Sequence, residues 1–398
     1  MPEGTHKALV LPGAGARGAY QVGVLKAVAR FLPRGAPNPF AIIAGTSAGA
    51  INAAVIAGRA TNFERGVSEM EQVWANFRAH QVYRTDGLAM LRSSLRWLAA
   101  LVFGGLGVSN PHSLLDNSPL RGLLERNVRF AAIARAIDQG QLDAVAVTAS
   151  GYTTARSVTF FQGRPEFKPW ARVRRIGRPT RLDIDHLMAS AAVPFVFPPV
   201  LIGGEYYGDG SMRHRAPLSP ALHLGADRLL VIGVRDEQPD PEPAADAAAV
   251  EPTLAHLAGY VLDTLFMDGL YTDLERISRT NRIVEQLGPG QLSGPLAELR
   301  PIQTLVIAPK EDIREVAARY AHELPRSVRL LLRGLGANRK SGQQLVSYVL
   351  FESGFTRALI DMGYRDALAM EDALRVFLFD QPMDTLYAPP HLKFALDR

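Results

Sequence analysis

Residues 40–49 read Phe-Ala-Ile-Ile-Ala-Gly-Thr-Ser-Ala-Gly, an apolar run driven into a glycine-bracketed turn with Ser47 at its apex. The alanine-rich stretch from Ala48 to Gly58 that follows suits a helix. A strand, a G-x-S-x-G turn and a helix together make the nucleophile-elbow pattern. Such a turn lifts the serine oxygen clear of the main chain and aims the N-terminus of the following helix at the reaction centre. Thr46 and Ala48 flank the serine, and Gly45 and Gly49 bracket the turn because a side chain at either would collide with neighbouring main chain.

Upstream, Lys7 to Pro12 is a short apolar strand, followed by the glycine loop GAGARG at 13–18 and by a helix from Ala19 to Phe31. Strand, helix and second strand form a βαβ unit, the building block of a helix-flanked, mainly parallel sheet. Residues 142–149, 228–234 and 303–307 read as further buried strands, and 158–161 and 172–176 as short edge or hairpin strands. The fold class is therefore α/β. The acidic, Pro- and Ala-rich stretch 236–252 has little to bury and reads as a surface loop or linker. A second break, GPGQLSGP, falls at 288–295, and from 311 onward the pattern is helical. This divides the chain into a catalytic part over 1–235, the linker, and a mainly helical C-terminal extension over 253–398 packed on the catalytic layer.

Composition narrows the chemistry. At 398 residues and 47% apolar content the chain can bury a large core. The absence of cysteine excludes a disulfide framework, a thiol nucleophile and a Cys-based zinc site. No secretory signal is visible at the N-terminus, so a cytoplasmic location is expected. The uncharged stretches 41–58 and 187–204 are interrupted by Gly and polar residues in one and by Pro194, Pro198 and Pro199 in the other, so neither reads as a membrane span. The net charge of +5 comes without a basic run interleaved with aromatics, and nucleic acid is not an expected partner.

The glycine loop has two readings. Strand, G-x-G-x-x-G and helix also make the dinucleotide fingerprint, which needs an acidic residue about twenty positions on. Between Glu3 and Glu64 there is no Asp or Glu, although an NADP-type site could use Arg34. The other reading is an oxyanion hole, with the amides of Ala14 and Gly15 pointing outward beside the elbow. A serine nucleophile also needs a base. His112, His186, His214, His223, His256, His322 and His391 all follow the elbow, but none has a catalytic context; His214, in SMRHRAP, reads as solvated surface. The remaining candidate is Asp209, between Gly208 and Gly210 just past a strand or hairpin, where an ordinary Asp-Gly turn competes with a catalytic role.

Three blocks taken in order, LPGAGARGAYQVGVL, GTSAGAINA and MASAAVPFVFPPV leading into DGSMRHRAP, resemble the patatin-like phospholipase family over roughly residues 7–235. The resemblance implies a three-layer fold and a Ser-Asp dyad, with Ser47 as nucleophile and Asp209 as base. It implies an oxyanion hole in the loop Gly13, Ala14, Gly15, Ala16, Arg17 and Gly18, with Arg17 structural or phosphate-directed, and a base loop of Gly210 and Ser211. Two departures stand out: Ala14 replaces the middle of three glycines, and Ser211 stands where the family favours Gly or Ala. The implied activity is hydrolysis of carboxylic esters in membrane glycerophospholipids or lysophospholipids, with no cofactor or metal. A general esterase or acyltransferase, or a catalytically weak lipid-binding regulator, are the alternatives. Residues 88–108 mix Arg92 and Arg96 with Leu91, Leu95, Trp97, Leu98 and Phe103; this suits peripheral membrane contact or a lid, with packing of a buried helix as the competing reading.

Overall fold

The computed structural model describes residues 6–85, 113–214, 216–235, 253–287, 294, 299–334, 336 and 343–389. The segment 88–108, the linker 236–252 and all of 288–295 except Gly294 lie outside the described residues.

The chain opens as the βαβ unit: β1 (Lys7–Leu11), α1 (Gly18–Phe31) and β2 (Ile42–Thr46), with the two strands parallel and adjacent. Then come α2 (Ala48–Ala57), α3 (Phe63–Ala75), α4 (Ser118–Asn127) and α5 (Phe130–Asp138). The next strands are β3 (Ala144–Gly151), β4 (Ser157–Gly163), β5 (Trp170–Ala171) and β6 (Arg175–Pro179). They lead to α6 (Ile184–Ser190), the hairpin of β7 (Val200–Ile202) and β8 (Glu205–Asp209), α7 (Ser219–His223) and β9 (Arg228–Ile232). After the long helix α8 (Leu254–Leu287) and β10 (Gln303–Ile307) come α9 (Ile313–Tyr320), α10 (Arg326–Gly334), α11 (Gln343–Val349), α12 (Ser353–Leu368), α13 (Glu371–Leu378) and β11 (Leu386–Tyr387).

The sheet runs β11-β10-β9-β1-β2-β3-β4-β6-β5 and is parallel from β11 to β3. Beyond β3 it is mixed, because β4 and β5 run antiparallel to their neighbours β3 and β6. β2, β3 and β9 are buried along their whole length, which is why they read as continuous apolar runs rather than alternating ones. Helices flank the sheet in the three-layer α/β arrangement.

Two strand positions differ from the sequence reading. β2 begins at Ile42 and includes Gly45 and Thr46, held by pairing of Gly45 with Val147 and of Thr46 with Thr148, so Ser47 leaves the strand with no spacer. The strand expected at 172–176 is split into β5 and β6, because Arg172 N–H donates to Arg175 O (2.8 Å) and closes a turn there.

One helix of the C-terminal third lies directly on α1. A Cβ on Gly23 would sit 2.0 Å from the carbonyl oxygen of Ile360, and one on Gly363 would sit 2.2 Å from that of Tyr20. The α1 and α12 backbones therefore touch at a glycine from each side, and Tyr20 Oη donates to Asp366 Oδ2 (3.0 Å) beside the crossing.

Candidate active site

Leu11 at the end of β1 lies opposite Gly45 of β2, so the glycine loop and the elbow emerge at the same carboxyl edge of the sheet. Ligands of open α/β sheets bind at that edge.

Ser47 follows β2 directly and stands at the N-cap of α2 with φ 55° and ψ −128°. That conformation costs a residue with a side chain about 1–3 kcal/mol. Serine is a favoured capping residue, yet the Ser47 side chain makes no capping bond, which leaves its hydroxyl uncommitted to the helix. The turn is braced from elsewhere: Ser47 N–H donates to Ser190 Oγ (2.8 Å), and Ser190 Oγ donates to Thr148 O (2.6 Å). The glycine collisions expected from the sequence are present. A Cβ on Gly45 would lie 2.4 Å from Gly49 O, and one on Gly49 would lie 2.1 Å from Leu11 O. Ala48 packs under Gly18 at the start of α1.

Register brings Asp209 to this turn. β4 occupies one edge of β3, so β2 and β8 share the other: β2 pairs with residues 144–148 and β8 with 149–151. The chain leaves that edge at Ser47, and Asp209, opposite Ala149, takes the next place. Gly210 permits the approach, since a Cβ there would be 2.1 Å from Thr148 O and 2.7 Å from Thr46 Cγ2. Asp209 is 1% exposed; its Oδ1 accepts the Ser211 N–H (2.9 Å), and its Oδ2 is buried with no regular hydrogen-bond partner. Burial drives the carboxyl up from 3.8 to about 6, while the Ser47 hydroxyl and the Ser211 amide and hydroxyl pull it part of the way back. The Ser47 hydroxyl thus acts on the carboxylate without a hydrogen bond of regular geometry. Catalytic bonds of this kind are often long or poorly aligned in unliganded sites and tighten around substrate. A desolvated carboxylate beside a strained serine in a cleft is the pattern expected of a catalytic pair.

The glycine loop lies against the same turn. Ala14 has a negative φ (−149°), outside the left-handed region that favours glycine, so alanine can take the place of the glycine there. Gly15 has φ +53° and lines a cavity together with Ser47, whereas Gly13 faces a small pocket with Thr46, Ser211 and His214. Ala16 and Arg17 are buried. A chain of side chains fixes the loop: Gln21 Nε2 donates to Pro12 O (3.0 Å), Asn52 Nδ2 to Gln21 Oε1 (2.9 Å) and Trp74 Nε1 to Asn52 Oδ1 (2.9 Å).

From Ser47 and Gly15 an apolar cavity, open to solvent at its mouth, extends along α2. Ile51 and Val55 continue the Ser47 face at helical spacing, and Met70, Trp74, Leu123, Phe197 and Phe351 supply walls from four other parts of the chain. The lining suits a hydrocarbon chain whose reacting end sits at the serine.

His214 corrects the sequence reading. It is largely buried, its Nδ1 lies 3.1 Å from Thr46 Oγ1, and burial, with Arg175 nearby, pushes it down to about 3. It is a neutral brace of the elbow rather than solvated surface. His186 and His223 are bonded to Asp183 and to the Ser219 carbonyl, and His112 and His391 lie outside the described residues. Arg34 is exposed past the far end of α1, before β2 rather than after it, which is the wrong end for a dinucleotide ribose. Ser190 and Asn52 had no role in the sequence reading. Ser190 stood inside a quoted block, but its partners Ser47 and Thr148 are distant in sequence. Among the described residues no three His, Cys, Asp or Glu side chains gather as a metal site, and no helix is long and apolar enough to cross a membrane.

A family model described as patatin-like phospholipase matches residues 9–222. The chain belongs to the patatin-like phospholipase family. At that level it is a lipid acyl hydrolase. The patatin-like match spans the glycine loop, the elbow and Asp209, and it ends before α8 and α11, which add Leu262, Tyr348 and Val349 to the cavity wall. Among solved structures, the crystal structure of VipD from Legionella pneumophila shares 11% identity over 93% of this chain and 67% of that one, with a TM-score of 0.35. No curated protein matches the chain.

Proposed function

We propose that this patatin-like protein cleaves carboxylic esters of membrane glycerophospholipids or lysophospholipids through a Ser47–Asp209 dyad and an acyl-enzyme. The observation that carries the reading is Asp209: a buried carboxylate with one unpartnered oxygen, next in register to a strained serine at the head of an apolar cavity.

With the acyl chain in the cavity, the ester carbonyl sits at Ser47. Asp209 Oδ2 accepts the hydroxyl proton as Ser47 Oγ bonds to the carbonyl carbon, and the negative charge moves to the carbonyl oxygen. Main-chain amides of Ala14 and Gly15, with the N-terminus of α2, receive that charge. Collapse breaks the ester C–O bond, and the proton held by Asp209 goes to the leaving alcohol. Water then attacks the acyl-enzyme, Asp209 takes its proton, and the carboxylic acid departs as the proton returns to Ser47. An unperturbed aspartate is a weak base for an alcohol; raising it to about 6 narrows the mismatch.

The test uses vesicles of phosphatidylcholine and micelles of its lyso form. Ser47→Ala and Asp209→Asn are each expected to lower turnover by roughly a thousandfold or more while leaving the fold intact. Ser47→Ala is also expected to lose covalent labelling by a fluorophosphonate. Wild-type-like hydrolysis by folded Asp209→Asn would remove the dyad.

A further inference from the structure

Arg17 sits in the loop assigned to the oxyanion, two residues after Gly15, and is 1% exposed. A guanidinium buried this deeply needs compensation, and all of the compensation shown comes from beyond the family match. Its Nε and one terminal nitrogen donate to Ser347 Oγ (2.9 and 2.7 Å), and the other terminal nitrogen lies 3.3 Å from Asp263 Oδ1. The guanidinium carbon stands 3.9 Å from the centre of the Tyr348 ring. Tyr348 Oη donates to the same Asp263 oxygen (2.6 Å), and Arg235 pairs with the other (3.1 Å). Burial and the neighbouring carboxylate hold the Tyr348 phenol protonated far above its ordinary range, so it remains a donor. The same residue also touches the loop through its backbone: a Cβ on Gly15 would lie 2.6 Å from Tyr348 O. Positions 15 and 17 of the loop are thus seated on α11, and α11 is tied to α8 by the Tyr348–Asp263 bond.

We propose that Asp263 and Tyr348 are positioning residues for the oxyanion loop, so that α8 and α11 complete the active site of the catalytic domain. The proposal rests on the Ser47–Asp209 reading. Its physical content is that the amides of Ala14 and Gly15 keep a catalytic aim only while Arg17 is clamped. These two side chains touch no reacting atom. Their effect falls on the transition state more than on the bound substrate, because only the transition state carries charge at the amides they hold in place.

Full-length Tyr348→Phe removes one oxygen and keeps the ring beneath the guanidinium; Asp263→Asn removes the counter-charge. Turnover is to be compared with affinity for a trifluoromethyl-ketone lipid, which forms an oxyanion on Ser47, and for an uncleavable ether lipid. Tyr348→Phe is expected to lower kcat roughly tenfold and Asp263→Asn roughly a hundredfold, the scale of a misaimed catalytic group. Ketone affinity should fall in parallel, with KM and ether-lipid affinity held within about twofold. A folded Tyr348→Phe with wild-type kcat, or one losing ketone and ether-lipid binding equally, overturns the clamp, and this variant decides if Asp263→Asn does not fold. Ester hydrolysis retained by Ser47→Ala would instead overturn the dyad reading beneath it.

Discussion

In the proposed dyad, Asp209 couples catalysis to stability. To accept a proton it must be ionised, so kcat/KM is expected to rise with pH through about 6 and level off above. The same shift has a second consequence. Folding raises the carboxyl from 3.8 to about 6, so between those values the folded protein holds more protons than the unfolded chain. Stability is therefore favoured at the acidic end of the window and falls as pH climbs through it, because stability rises with pH only where the unfolded state binds more protons. At about 1.4 kcal/mol per pH unit the penalty above pH 6 is on the order of 3 kcal/mol. Asp209→Asn keeps an oxygen for the Ser211 N–H and carries no charge. It is expected to be inactive and about 1–3 kcal/mol more stable than wild type at pH 8, the advantage vanishing toward pH 4. Urea midpoints across pH 4–8 would check this, and a midpoint difference that does not change with pH would refute it. The perturbation itself was not legible in the sequence, where Asp209 reads equally well as an Asp-Gly turn. Its burial depends on β3 and the Ser47 turn, contacts made by residues far from it along the chain.

Among the elements, legibility follows the range of the interactions that make them. β1, α1, β2 and the elbow could be read because their apolar runs and glycines lie within one continuous stretch, and β9 and β10 because their buried runs are unbroken. The crossing of α1 and α12 could not be read, since Gly23 looks like an ordinary helix glycine until Ile360 is set against it. That crossing reverses an intrinsic preference. Alanine is favoured over glycine inside a helix by about 1 kcal/mol, yet a Cβ at position 23 would be 2.0 Å from Ile360 O and 2.8 Å from Tyr364 N, both main-chain atoms. Backbone of a packed helix cannot yield by rotating a side chain, so the helices must part. Gly23→Ala is expected to lose about 1–3 kcal/mol, the range of overpacked core substitutions. A denaturant midpoint at or above that of wild type would show that the helices separate without cost.

On the scale of the whole molecule, the described C-terminal elements enter the sheet, the α1 layer and the cavity at once. β10 pairs with β9 along all five residues, Gln303–Ile307 against Arg228–Ile232. α12 covers α1, and Leu262, Tyr348, Val349 and Phe351 wall the space in front of Ser47. The sequence pattern of a linker and a mainly helical extension carries no sign of this interlocking, because β10 finds its neighbour only in three dimensions. A chain cut after residue 235 retains the residues of the family match and loses three supports together. β9 becomes an edge of apolar residues with unpaired N–H and C=O groups, a template for aggregation. The α1 face around Gly23 is uncovered, and Arg17 loses Ser347, Asp263 and Tyr348, the partners that hold it in place beside the glycine loop. Such a fragment is expected to be insoluble or aggregated, and inactive on ester substrates where the full chain turns over. Size-exclusion chromatography with limited proteolysis would report on it. A monomeric, protease-resistant fragment that hydrolyses lipid esters would mean that the first 235 residues fold alone, and that the contacts of β10, α11 and α12 are added to an already complete enzyme.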